Sequence, residues 1–155
     1  MDQPVMVYVE IEQHSNIKYE YNKITSKLEV DRILNPPYVY PYAYGFIPDT
    51  LADDGDDLDI LILTNKPINN NSYHKVYIIG ALKMEDEKGN DEKVLCVLEE
   101  DYPTFKDLDY ILEEEKQSIN AFFSNYKNGV HGRWSKTHGF MNKADAIALY
   151  NRCKI

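Results

Sequence analysis

The residues of this chain most able to do chemistry are four aspartates within six positions, Asp54, Asp56, Asp57 and Asp59, at the start of an apolar segment that ends at Leu63. Like charges this close repel one another unless a cation lies between them. Mg²⁺ is the usual solution, because this hard cation prefers oxygen ligands. A solvated acidic turn is the plain alternative. However, Asp59 lies inside an otherwise apolar strand, where a buried carboxylate must be paired or bind a metal. The cluster therefore predicts a divalent-cation site.

Other charged side chains recur along the chain at positions where they could complete such a site. Each has a plain explanation when taken alone. Surface Lys and Glu side chains are usually solvated, and Tyr126, on an apolar helical stripe, is more often part of a core. As a set, seven acids and four bases leave an excess of three negative charges, which suits several divalent cations and a very anionic ligand. The acids are Glu10, Glu20, Asp54, Asp56, Asp59, Asp86 and Asp91, and the bases are Lys18, Arg32, Lys93 and Lys127.

The elements that must position these residues are predicted from hydrophobic periodicity. Apolar residues that alternate with polar ones, or that run continuously, predict strands. Helical spacing of apolar residues predicts a helix from Asp107 to Tyr126, with a C-cap at Asn128-Gly129. A second helix is predicted from Asn142, a good N-cap residue, to about Arg152. Many short strands followed by helices indicate a mainly β, α+β fold, a small β-barrel with helices packed outside. The predicted strands cover residues 5–11, 17–21, 27–32, 58–63, 75–84 and 94–98, with a Tyr/Pro-rich loop over residues 35–48.

Length and composition limit the class of protein. The 155 residues are 43% hydrophobic and 28% charged, which predicts one globular domain over residues 1–155. The net charge of -9 argues against nucleic-acid binding, whose affinity comes mainly from basic contacts to phosphate. Cys96 and Cys153 lack metal-ligand spacing and are interpreted as free thiols of a reducing compartment. No signal peptide or membrane-spanning stretch is visible, so a cytoplasmic location is expected.

The order of the charged residues resembles that of the family I soluble inorganic pyrophosphatases over nearly the whole chain. The most specific segment is Asp54-Gly55-Asp56-Asp57-Leu58-Asp59, against a family pattern of Asp-Gly-Asp-Pro-x-Asp. The other segments in family order are Ile17-Lys18-Tyr19-Glu20, Val30-Asp31-Arg32, Tyr40-Pro41-Tyr42-Ala43-Tyr44-Gly45-Phe46, Leu82-Lys83-Met84-Glu85-Asp86, Asp91-Glu92-Lys93, Phe122-Phe123-Ser124-Asn125-Tyr126-Lys127 and Gly132-Arg133-Trp134.

The resemblance implies a fold and an activity. The fold would be a five-stranded OB-type closed β-barrel with flanking C-terminal helices. The activity would be Mg²⁺-dependent hydrolysis of inorganic pyrophosphate to two phosphates, by in-line attack of a metal-activated water, with several Mg²⁺ ions in each active site. Pyrophosphate would be the small-molecule partner, with no nucleic acid or membrane, and a homo-oligomer is expected, a hexamer rather than a dimer.

The resemblance also implies a role for each site residue. Asp56 would be the general base, with Tyr40 as a neighbour that tunes the site. Lys93 would neutralise charge near Asp91. The residues that would bind metals are Asp54, Asp59, Asp86, Asp91, Glu20 and Glu10. The residues that would bind the phosphoryl group under attack are Lys18 and Tyr44, and those that would bind the leaving phosphate are Arg32, Tyr126 and Lys127.

The sequence departs from the family pattern at a few positions. Asp57 replaces the family proline, so the loop loses a fixed φ and gains a charge. The segment from Glu10 to Lys18 is one residue shorter than is common, which bears on the assignment of Glu10. Phe140 stands where tryptophan is frequent.

Three other functions fit parts of the sequence less well. An acidic OB barrel could bind a protein or a nucleic acid by stacking aromatic side chains on bases, but the net charge and the lack of a basic stripe weigh against it. A calcium loop of the EF-hand type, counted from Asp54, puts Leu58 at the fifth position and Asp59 where glycine belongs, so its spacing fails. Hydrolysis of another phosphoanhydride, such as a nucleotide, would keep the fold, although no purine-binding motif is visible.

Overall fold

The computed structural model describes residues 3–155, which form nine strands and two α-helices. Most of the strands come first and both helices come late, as the hydrophobic pattern predicts. The strands are β1 Val5–Ile11, β2 Ile17–Asn22, β3 Lys27–Ile33, β4 Ala43–Ile47, β5 Leu58–Ile62, β6 Ser72–Asp86, β7 Gly89–Asn90, β8 Lys93–Leu98 and β9 Ser135–Met141, and the helices are α1 Glu113–Asn125 and α2 Lys143–Cys153.

Five of the strands close into a barrel. β1 pairs with β4, β4 with β5, β5 with β8, β8 with β6, and β6 returns to β1. Every pair is antiparallel except β5 and β8, which run parallel. The predicted five-stranded barrel with flanking helices is therefore confirmed, and β7 and β9 extend its wall along β6.

Two apolar cores flank the barrel wall. Successive residues of β5 alternate between them: Leu61 packs with α1, and Ile60 and Ile62 pack with α2. Because both faces of β5 and β8 are covered, these strands are apolar over nearly their whole length. This explains the continuous hydrophobic runs in the sequence.

The barrel contains one strand that the sequence pattern assigned to a loop. β4 lies in the Tyr/Pro-rich segment, where nearly every residue is buried and no alternation marks a strand. Gly45 permits the pairing with β1, because a Cβ at this position would lie 1.8 Å from the carbonyl oxygen of Tyr8. The polar strand β9 was also missed, since it is specified by its pairing with β6 rather than by an apolar pattern of its own.

The helical region also differs in part from the prediction. α1 begins at Glu113 rather than at Asp107, because Asp107 caps a separate 3₁₀ turn and Ile111 has an extended backbone. It ends at Asn125, so Gly129, with a φ of 85°, serves the following turn. The start of α2 is confirmed, and the Asn142 side chain caps it. Within residues 3–155, neither helix is long and apolar enough to cross a bilayer.

β2 and β3 form a separate two-stranded hairpin outside the barrel. It leans on β1, where the backbone N–H of Tyr21 donates to Glu10 at 2.8 Å and the rings of Tyr8 and Tyr21 lie 5.1 Å apart. A β-bulge leaves Asp31 unpaired, because Lys18 pairs with Arg32 and Tyr19 pairs with Val30. Bulges of this kind re-aim side chains beside functional sites. The hairpin thus forms one wall above the barrel.

Candidate active site

A charged cavity of about 250 Å³ lies where the hairpin, the barrel and the loop before β5 meet. Ten carboxylates and seven cationic side chains line it, so the formal excess is three negative charges. The carboxylates belong to Glu10, Glu20, Asp31, Asp54, Asp56, Asp57, Asp59, Asp86, Glu87 and Asp91, and the cations to Lys18, Lys23, Arg32, Lys88, Lys93, Lys127 and Arg133.

Hydrogen bonds hold the acidic loop, residues 53–57, at its junction with β5 and within the loop itself. Thr50 accepts a hydrogen bond from the backbone N–H of Leu58 at 2.8 Å, which fixes the start of β5. The Asp54 carboxylate accepts from the backbone N–H of Asp56 at 3.0 Å. Gly55 has a φ of 88°, a left-handed conformation that glycine adopts without steric cost. The loop therefore presents its aspartates in a defined order.

Lys93 lies at the centre of the barrel side of the cavity and is only 1% exposed. Its ammonium donates to Asp59 and to the Tyr44 hydroxyl at 2.8 Å, and to Asp91 at 2.9 Å. Burial opposes the charge on Lys93, but the carboxylates of Asp59 and Asp91 outweigh it and hold the pKa well above its usual range. Lys93 therefore stays charged and neutralises two acids at once.

A second buried lysine ties the end of β6 to the segment after α1. The Lys127 ammonium donates to Asp86 at 2.9 Å and to both oxygens of Glu87 at 3.0 and 3.2 Å. Glu87 also accepts from the backbone N–H of Trp134 at 3.1 Å. Burial raises the pKa of the Glu87 carboxyl, but the hydrogen bond from Lys127 and that of Trp134 prevail and lower it. The network orders the rim of the cavity beside Tyr126.

The hairpin supplies cations with contrasting partners. Lys18 forms an ion pair with Asp31 at 2.5 Å. The Arg32 guanidinium, by contrast, has all three nitrogens buried and without a hydrogen-bond partner among residues 3–155. Its carbon lies 5.8 Å from the ring centroid of Tyr126. A buried cation without acceptors is costly unless a ligand provides them, so Arg32 points to an anion-binding function.

Two acids facing the cavity hold their protons more tightly than usual. Burial raises the pKa of Glu10 to about 8, and the charge of Asp59 adds to it, although the hydrogen bond from Tyr21 lowers it. Burial also raises the pKa of Asp54 to about 6, helped by the charges of Asp91 and Asp59. In both residues burial is the main cause of the raised pKa, and the neighbouring carboxylates add to it.

The carboxylates surround the cavity without gathering at one point. Among residues 3–155, no three acid, histidine or cysteine side chains lie close enough together to hold a metal ion. Lys93 lies between Asp59 and Asp91, and Lys127 donates to Asp86, so each of these carboxylates shares one oxygen with an ammonium group. The expected metal-binding acids thus share a cavity but form no compact cage.

The cavity is lined by thirteen of the fourteen side chains expected from the sequence. The exception is Tyr40, which is fully buried behind the cavity, with its ring 5.2 Å from that of Tyr44 and 4.7 Å from that of Phe122. Its hydroxyl finds no partner among residues 3–155.

Several charged residues reach the cavity although no site role was predicted for them. Strict strand alternation puts Asp31 opposite Arg32 and Glu87 opposite Asp86, but the bulge and the turn after β6 interrupt that alternation. Asp31, Asp57 and Arg133 lie in segments that match the family order, Glu87 and Lys88 follow Asp86 directly, and Lys23 has no signal in the sequence. The unpredicted charged residues are Lys23, Asp31, Asp57, Glu87, Lys88 and Arg133.

Comparison with known proteins gives one consistent result. The family model described as "Inorganic pyrophosphatase" matches residues 7–154. The inorganic pyrophosphatase of Nanoarchaeum equitans is 42% identical over 154 residues, covering 97% of this chain and 95% of the relative. That of Gluconobacter oxydans is 44% identical over 146 residues, covering 92% of this chain and 84% of the relative. The solved Helicobacter pylori enzyme matches with a TM-score of 0.92 and 38% identity, over 97% of this chain and 91% of that one. The Thermus thermophilus inorganic pyrophosphatase structure matches with a TM-score of 0.92 and 38% identity, over 97% of this chain and 88% of that one.

Proposed function

Because this chain belongs to the inorganic pyrophosphatase family, it is a pyrophosphate-hydrolysing enzyme, and we propose that it performs this hydrolysis by Mg²⁺-dependent in-line attack of water. One observation carries the proposal most directly. The unpartnered guanidinium of Arg32 and the acids of the loop before β5 face the same cavity. Such a site suits a ligand that is itself highly anionic and that arrives with divalent cations.

The donor set fits Mg²⁺ in its chemistry. The acids expected to bind metal offer only oxygen ligands, and none of the four histidines lines the cavity. Mg²⁺ usually keeps several waters and binds through one or two carboxylates and the phosphates of its substrate, so it does not require a cage of three acids. The raised pKa values of Asp54 and Glu10 mark the acids whose charge a cation would relieve. We assign metal binding to Asp54, Asp59, Asp86, Asp91, Glu20 and Glu10.

When bound, Mg²⁺ supplies acidification of the attacking water and neutralisation of phosphate charge. The protein's own side chains do the rest. Asp56 is exposed on the acidic loop beside Asp54 and is assigned the role of accepting the proton from the water. The backbone hydrogen bond from Asp56 to Asp54 sets its position relative to that neighbour.

Two groups of side chains are assigned to the two phosphates. Lys18 and Tyr44, which line the cavity, are assigned to the phosphoryl group under attack, and Lys18 has further N–H donors beyond the one shared with Asp31. Arg32 and Lys127 lie 5.8 and 5.7 Å from the ring centroid of Tyr126. These three residues would bind the leaving phosphate, whose charge grows as the bond breaks. Lys93 limits repulsion at Asp59 and Asp91, and Tyr40 supports Tyr44 from behind.

A phosphate-release assay tests the proposal. Purified protein is given pyrophosphate or ATP, each with Mg²⁺, with Ca²⁺ and with EDTA. We expect rapid release from pyrophosphate with Mg²⁺, little from ATP, and almost none in EDTA. Ca²⁺ should fail to replace Mg²⁺, because it prefers longer bonds and more ligands. Equal turnover in EDTA and in Mg²⁺ would refute the metal dependence, and faster release from ATP would refute the substrate assignment.

The organisation of the whole chain stays a prediction. We propose that residues 1–155, of which residues 1 and 2 lie outside the described part, act as one domain. We also propose that the domain assembles into a homo-oligomer, a hexamer rather than a dimer. Sedimentation velocity would measure the mass of the assembly, and a monomer at micromolar concentration would contradict this prediction.

A further inference from the structure

An ion pair crosses the mouth of the cavity between two elements that are far apart in sequence. The Lys23 ammonium, in the turn of the β2–β3 hairpin, donates to the Asp57 carboxylate of the acidic loop at 2.6 Å. The Asp57 side chain is 12% exposed and that of Lys23 is 67% exposed. A carboxylate this buried requires a partner, and Lys23 supplies it.

Both ends of the ion pair are held firmly. In the hairpin turn, the Asn22 side chain accepts hydrogen bonds from the backbone N–H groups of Ile24 and Thr25 at 2.9 and 3.2 Å. On the other side, Leu58, next to Asp57, is anchored by its hydrogen bond to Thr50. Because the hairpin turn and the acidic loop are both ordered already, an ion pair between them costs less conformational entropy than an ion pair between two flexible segments.

The two elements joined by this contact carry opposite halves of the proposed catalytic machinery. The hairpin carries Lys18 and Arg32, and the acidic loop carries Asp54 and Asp56. The hairpin is a sheet of its own and shares no strand pairing with the barrel among residues 3–155. Its distance from the loop therefore depends on its packing against β1 and on side-chain contacts across the cavity.

We propose that Lys23 and Asp57 are positioning residues: their ion pair, the clasp, holds the phosphate-binding hairpin at working distance from the acidic loop. Only the kinetic effect expected of the clasp rests on the proposed function; its structural effect on the hairpin does not. Asp57 also stands where the family pattern has proline, so a charged contact here takes the place of a fixed backbone angle in restraining the loop.

The kinetic test uses Asp57→Asn, Lys23→Gln and the charge exchange K23D/D57K, assayed with pyrophosphate at a Mg²⁺ concentration that saturates each variant. A clasp predicts that both single variants raise KM by about two- to five-fold, the range of a partly exposed ion pair, with kcat within about two-fold. The charge exchange should return KM to within about two-fold of the parent.

A purely through-space charge effect predicts a different result. Neutralising Asp57 would then lower KM for the anionic substrate, whereas neutralising Lys23 would raise it. KM changes of opposite sign in the two single variants, or no recovery in the charge exchange, would overturn the clasp.

A second measurement does not depend on catalysis. Amide hydrogen exchange over residues 17–33 should be faster in Asp57→Asn than in the parent, because the hairpin loses a restraint. The matched control is Asp101→Asn, which breaks the pair of Lys66 with Asp101 at 2.9 Å, with side chains 51% and 20% exposed, away from the cavity. This control should leave exchange over residues 17–33 unchanged.

Unchanged exchange in Asp57→Asn, or an equal increase in Asp101→Asn, would overturn the clasp. If the parent failed to hydrolyse pyrophosphate while Asp57→Asn still exchanged faster, the proposed function would fail and the clasp would stand. The two hypotheses are thus separated by one set of proteins.

Discussion

Replacing Lys93 by methionine should strongly destabilise the protein and, at the same time, make its stability more dependent on Mg²⁺. Lys93 is 1% exposed and donates to Asp59, Asp91 and Tyr44. Methionine keeps most of the side-chain volume and removes the ammonium. The carboxylates of Asp59 and Asp91, with side chains 21% and 9% exposed, are left without their shared cation.

The magnitude follows from the burial of this network. Removing one partner of a buried ion pair typically costs about 3–5 kcal/mol, and the partial exposure of Asp59 favours the lower part of that range, about 3–4 kcal/mol. For a domain of this size each kcal/mol lowers the melting temperature by about 2–4 °C, so the expected decrease in EDTA is roughly 6–16 °C. Mg²⁺ should recover more of the melting temperature in Lys93→Met than in the parent, because the freed carboxylates become available to it.

Thermal unfolding in EDTA and in millimolar Mg²⁺ measures both effects. The matched control is Lys66→Met, which removes an ammonium with a half-exposed side chain paired with Asp101 and should cost no more than about 1 kcal/mol. The reasoning about burial would be refuted if Lys93→Met and Lys66→Met had the same melting temperature in EDTA. The assignment of Asp59 and Asp91 to metal binding would be refuted if Mg²⁺ left the gap between Lys93→Met and the parent unchanged.

Three further predictions concern catalysis and pH. Asp56→Asn should lower the steady-state rate of pyrophosphate hydrolysis by roughly 10²-fold or more, because an amide cannot accept the proton. The neighbouring variant Asp57→Asn should keep kcat within a few-fold of the parent. Equal rates in the two variants would contradict the assignment of Asp56. Arg32→Met should raise KM for pyrophosphate by roughly tenfold or more without lowering the melting temperature in EDTA, because the guanidinium loses no hydrogen bond to any acceptor in the described part of the chain. Normal kinetics or a marked loss of stability would contradict its anion-binding role. In EDTA the melting temperature should fall as pH rises from about 4.5 to about 8. Burial keeps Glu10 protonated in the folded protein up to a pKa of about 8, whereas the unfolded chain releases this proton near the ordinary pKa of 4.5. Glu10→Gln should reduce this dependence, most clearly between pH 6 and 8, above the pKa of about 6 of Asp54, and an unchanged slope there would exclude Glu10 as its source.

Much of the charged lining of the cavity could be predicted from residue types and their order. The aspartate cluster could be recognised in the sequence because four like charges beside an apolar strand repel one another in any fold unless a cation or solvent compensates them. The barrel strands β1, β5, β6 and β8 were predicted because their hydrophobic patterns are local and regular. The assignment of site residues used their sequence order, which a chain carries irrespective of its conformation.

Other parts of the fold were decided by contacts between distant segments. β4 joins the barrel because Gly45 lets its backbone approach Tyr8, a proximity that no local pattern of residues 35–48 reveals. The polar strand β9 exists because β6 extends beyond the barrel and offers an edge to pair with. A strand that is defined by its partner has no periodic signal of its own.

The partners of the charged side chains were likewise determined by tertiary structure. The sequence by itself determined which acids and cations the chain carries, and that their order resembles that of the inorganic pyrophosphatases. Only the fold determined that Lys93 neutralises Asp59 and Asp91, that the Arg32 nitrogens have no acceptor among residues 3–155, and that Lys23 meets Asp57 across the cavity. The physical reason is that ion pairing and desolvation depend on separations of a few ångströms between segments tens of residues apart. Such separations are set by barrel closure and by the position of the hairpin.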